Sequence, residues 1–112
     1  MMYRALVVAC AIALLEVPTA NADLLSDAAE LGANAGAMKY CRERFATDED
    51  DGRYKLLALA AGRELGKLTG EAQAKALLVK KSAEDGDYLG KPLDQERCTS
   101  IRKLLVVKYS ID

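Results

Sequence analysis

Residues 24–45 read LLSDAAELGANAGAMKYCRERF. Apolar side chains recur at Leu24, Ala28, Leu31, Ala35, Met38, Cys41 and Phe45, at spacings of three and four that trace one stripe of an α-helix. Gly32 and Gly36 stand four residues apart among Ala29, Ala33 and Ala37. A glycine inside a helix weakens it by about 1 kcal/mol. Two glycines on one face therefore predict a ridge of small residues against which a second helix packs closely. The segment carries too many charges to be a lipid-embedded helix dimer. Ser26 or Asp27 is expected to cap its start, and Arg42 and Arg44 suit the negative end of the helix dipole.

Downstream, the same reading gives three more helices. Thr47 to Gly52 (TDEDDG) is a turn whose acids suit the positive end of a helix over Asp51 to Leu68. Tyr54, Leu57, Ala61, Leu65 and Leu68 form its inner stripe, and Gly66 frays its end. Thr69 then caps a helix over Gly70 to Asp85, with Ala72, Ala76, Val79 and Ala83 inside, a Glu71–Lys75 pair outside and Gly86 as its stop. Gly86 to Pro92 (GDYLGKP) reads as a loop punctuated by two glycines and a proline. The last helix runs from Asp94, its cap, to Tyr109, with Cys98, Ile101 and Leu105 on one face. The expected fold is all-α: a small four-helix bundle in a single domain over residues 23–112.

Residues 1–22 read as a cleaved export signal. Arg4 lies in a short leading segment, Ala5 to Leu15 is an unbroken run of eleven apolar residues, and Ala20-Asn21-Ala22 is a small-x-small cleavage pattern. Eleven apolar residues fall well short of the roughly 20 that a membrane-spanning helix needs. Lipidation at Cys10 is disfavoured, because cleavage there would leave only Ala5 to Ala9 as hydrophobic core. The expected location is the periplasm or the medium, with no membrane insertion after cleavage.

Of the three cysteines, the signal contains Cys10, which leaves Cys41 and Cys98. One intramolecular pairing is then open to them, and an oxidising compartment favours it. Both fall on inner stripes, so the disulfide is expected to pin the first helix to the last.

Composition excludes much chemistry. The chain has no histidine, which removes the commonest general base, the Ser-His and Cys-His nucleophile systems and the usual zinc ligands. It carries no phosphate-binding glycine loop and no C-x-x-C pair. An EF-hand placed with its invariant glycine on Gly52 would begin at Thr47 and end at Ala58, lacking the first and last carboxylates. A net charge of −1 argues against non-specific binding to nucleic acid. A hydrolase relying on carboxylates alone would need a cleft that one Phe and no Trp do little to build. No catalytic, cofactor or metal residue is therefore assigned, and the chain is read as no enzyme.

What remains is a non-catalytic binding or interaction protein whose partner is another protein; its oligomeric state is left open. Tyr88, Leu89 and Lys91 are the candidate contact residues, since an aromatic and a leucine stand between chain-bending residues beside a charge. The alternative is that Tyr88 and Leu89 fold down over the bundle as a lid on the core. The Lys80–Lys81 pair reads as a solvated helix end. The layout of exported precursor, small helical domain and one disulfide resembles that of the periplasmic acid-stress chaperones, and also that of periplasmic immunity proteins that neutralise secreted toxins. This resemblance spans residues 23–112 and involves no motif on particular residues. It implies either client binding as carboxylates protonate or inhibition of a toxin.

Overall fold

The computed structural model describes the backbone of residues 2–111 and the side chains of residues 22–111. The expected export signal, Cys10 included, lies outside the described side chains except for Ala22. The elements are α1 (Met2–Phe45), α2 (Asp51–Gly66), α3 (Gly70–Glu84), β1 (Asp87–Tyr88), β2 (Lys91–Pro92) and α4 (Gln95–Tyr109). Each helix expected from periodicity is present, and the ends of the last three agree to within two residues. The start of the first differs. The chain is already helical at Ala22, so Ser26 and Asp27 lie in the interior of α1 and do not cap it. Residues 22–29 contain neither glycine nor proline, so nothing among them interrupts the helix.

α1 is the spine against which the other three helices pack, whereas α2 and α3 barely touch one another. The α1–α3 contact depends on the two glycines. A Cβ at Gly32 would collide with the backbone carbonyl of Ala76. At Gly36 it would collide with the carbonyl of Lys80 and lie 2.8 Å from Ala83 Cβ. No side chain other than hydrogen fits, so the ridge read in the sequence is where α3 sits.

Apolar burial follows the same stripes in two clusters, except that Leu24, at the start of the first stripe, is exposed. Ala28, Leu31, Ala35, Ala61, Leu65, Ala72 and Ala76 form an alanine-rich cluster where α1, α2 and α3 meet. Met38, Cys41, Tyr54, Leu57, Cys98, Ile101 and Leu105 form the second, and Leu93 closes it from below α4. Cys41 and Cys98 are fully buried there and joined in a disulfide with Cα atoms 5.7 Å apart. An ion pair from Arg102 to Asp50, at 2.7 Å, ties α4 to the start of α2. Near the other end, the Tyr109 hydroxyl donates to Glu64 at 2.5 Å.

Caps behave in two ways. Asp94 accepts the Arg97 N–H at 2.7 Å, as an N-cap should. Thr69 occupies the N-cap position of α3 but makes no side-chain capping bond. Its backbone is extended, as at most N-caps, but Gly70 follows at φ +60°, so the chain enters this helix through a left-handed residue.

The stretch expected to be a plain loop is a miniature hairpin. Tyr88 pairs with Lys91 and Asp87 with Pro92, around a two-residue turn at Leu89 and Gly90. Both turn residues have positive φ, +52° and +89°, the conformation in which a two-residue turn matches strand twist. Asp87 steadies the turn by accepting the Gly90 N–H at 2.8 Å.

Candidate protein-binding groove

Because α2 and α3 diverge on α1, they leave between them a groove of about 780 Å³ that is open to solvent along one side. Ala35 of α1 and Ala58, Leu59 and Gly62 of α2 supply its apolar surface. Leu59 is 49% exposed, a large aliphatic side chain left at the groove by packing that buries Leu57 completely. Gly62 differs from Gly32 and Gly36, since nothing lies within 4 Å of where its Cβ would be. The close approach of neighbours that explains the first two glycines does not explain this one.

The rim is charged and mostly cationic. Lys39, Arg42, Lys55, Arg63 and Lys80 face Glu43, Asp51 and Glu84. Arg42 grips Asp51 through both oxygens, at 2.9 and 3.1 Å. That hydrogen bonding holds the Asp51 carboxyl below its usual range and raises the Arg42 guanidinium. Glu84 is shared between Lys80 at 3.1 Å and Lys39 at 3.8 Å. Among the described residues, Lys55 and Arg63 make no ion pair. Two of the four acids of the expected turn are likewise committed, Asp50 to Arg102 and Asp51 to Arg42.

The residues singled out from sequence lie elsewhere. Tyr88 is half-buried against the disulfide cluster, and its hydroxyl donates at 2.6 Å to Asn34 Oδ1. Burial pushes its phenol above the usual range. Leu89 and Lys91 are exposed at the hairpin tip, and none of the three lines the groove. Asn34 is the one buried polar side chain among the described residues, and Tyr88 satisfies it. Tyr88→Phe would strand the Asn34 oxygen, so a denaturant titration is expected to show a loss of about 1–3 kcal/mol. An unchanged midpoint would mean that water replaces the hydroxyl.

Lys80 turns out to be part of the groove rim, whereas Lys81 is simply exposed. The groove residues Ala58 and Gly62 carried one signal in the sequence: they repeat, on the second helix, the four-residue spacing of Gly32 and Gly36. No protein family, curated protein or solved structure matches this chain.

Proposed function

We propose that this is an exported, non-catalytic protein-interaction protein whose binding face is the groove between α2 and α3. The observation that carries this reading is the apolar strip of Ala58, Leu59 and Gly62, in which Leu59 stays 49% exposed beside the half-buried Ala58 and Gly62 while Leu57 and Leu65 of the same helix are buried. Such a strip inside a charged rim has the usual make-up of a recognition surface, apolar at its centre and polar at its edge. The ionisable side chains of the groove are lysines, arginines and carboxylates, and two of its three acids are held by cations. That arrangement suits binding better than proton transfer. The export signal supports an extracytoplasmic setting.

Gly62→Gln provides the test. The position has open space around it and the substitution favours the helix, so the protein should fold while the groove is filled. A partner recovered on the wild-type protein would be purified and titrated into isotopically labelled protein. Amide shifts are expected along α1, α2 and α3 at the groove, with binding lost in Gly62→Gln. A partner that binds Gly62→Gln as tightly as wild type, or whose footprint falls on Leu89 and Lys91, would overturn the proposal.

A further inference from the structure

Resting on that reading of the groove, we infer that its occupant is an amphipathic helix of a different protein, apolar on the buried face and acidic along its edges. Small-molecule sites enclose about 70–90% of their ligand. This groove is open along one side and would leave an acyl chain or a ring half in water. Strand addition needs an exposed sheet edge, and the sheet present among the described residues is a hairpin of two-residue strands away from the groove. A helix, by contrast, fits a floor of small residues. α3 already approaches α1 in this way over Gly32 and Gly36, and the half-buried Ala58 and Gly62 repeat the spacing, with open space where a Cβ at Gly62 would lie. Flat floors of this kind allow helix axes to come within about 8–10 Å.

Charge then selects the helix. The rim carries five cations against three acids on a chain whose net charge is −1. Lys55 and Arg63, without ion pairs, stand eight residues apart on one face of α2, about 12 Å along its axis. Acids two turns apart on a partner helix would meet both, while Lys39 and Lys80, which share Glu84, leave the opposite edge with one more cation than acid. The same charges argue against a second copy of this chain seated through its α3 or α4. The uncovered apolar side chains of those helices are Leu104 and Val107 beside Lys103 and Lys108, and Leu77 and Leu78 near Lys75 and Lys81. Either face would bring lysines against a cationic rim.

The experiment uses a fluorescent helical peptide of roughly four turns, with leucines on one face and glutamates on both flanks, followed by anisotropy at low salt. Two sister peptides carry glutamine or lysine in place of the glutamates. The acidic peptide is expected to bind best, the glutamine form more weakly and the lysine form not detectably. Lys55→Glu with Arg63→Glu should weaken the acidic peptide at least about fivefold, and added salt should weaken it too. Gly62→Gln should abolish binding of every peptide. If all three peptides bind alike and Gly62→Gln still abolishes them, the acidic occupant is wrong while the groove survives as a binding face. Peptide binding that Gly62→Gln leaves intact overturns both readings. Concentration-dependent dimers that Gly62→Gln prevents would make a second copy the occupant, and preferential uptake of a fluorescent fatty acid would make it a lipid; either result overturns the inference.

Discussion

Gly36→Leu and Gly32→Leu are each expected to prevent the domain from folding, and even alanine at either position should be severely destabilising. The clash is with backbone, since the added atom would meet the carbonyl of Lys80 or Ala76 and α3 would have to leave its seat. Alanine improves intrinsic helix propensity by about 1 kcal/mol, so propensity alone predicts a gain. Overpacking a close helix contact costs about 1–3 kcal/mol, and more where no flexible side chain can yield. The contact term should win by about 2 kcal/mol, lowering the melting temperature by roughly 10 °C or more for a domain of this size. Gly62→Ala is the internal control. It makes the same chemical change on α2 with nothing within 4 Å, and should stabilise by about 0.5–1 kcal/mol. Thermal melts of the three alanine variants would show opposite signs. A Gly36→Ala protein that melts at or above the wild-type temperature would mean that α3 is loosely held.

Loss of the Cys41–Cys98 bond has the second large effect. The bond spans a sequence separation of 57 residues, and closing a loop of that length is worth about 4 kcal/mol in the chain-entropy model. Small domains have about 5–15 kcal/mol in total. Reduction, or Cys98→Ser, is therefore expected to remove a large share of the stability, about 2–5 kcal/mol by denaturant titration. The loss should appear first in α4. Its remaining ties include Ile101 and Leu105 in the core, the Arg102–Asp50 ion pair, and the Tyr109 hydroxyl and Lys108 on Glu64. Amide exchange should accelerate along residues 95–109 well before it does along α1 and α3, which remain locked over the glycines. Equal acceleration throughout, or an unchanged midpoint, would show that the bond adds little to α4.

Helix positions were legible because the stripes are regular: Tyr54, Leu57, Ala61 and Leu65 are all buried, as are Cys98, Ile101 and Leu105. The glycine ridge was legible for the same reason, since Gly32 and Gly36 share a face whose cost needs a packing explanation. The groove was not. Ala58 and Gly62 lie just beside the inner stripe of α2, and whether such residues are covered depends on how far α2 and α3 spread, which periodicity does not encode. The partner of Tyr88 is hidden from the sequence for a related reason. Asn34 is 54 residues away, and no local pattern links a hairpin tyrosine to a helix asparagine. The Leu89–Gly90 turn was obscured by composition, because leucine rarely accepts a φ of +52° and so does not announce a tight hairpin.

The cross-link between α1 and α4 also governs what a protease can do to this molecule. Residues 42–97 lie between the two half-cystines and include all of α2, α3 and the hairpin. A single cut anywhere in that span, for instance in the exposed turn around Asp48 and Glu49 or at Leu89, opens a ring without releasing a piece. The nicked chain keeps its full mass on a non-reducing gel and separates into two fragments only after thiol treatment. Both walls of the groove lie within this ring, so an encounter with a protease would leave them on one covalent particle.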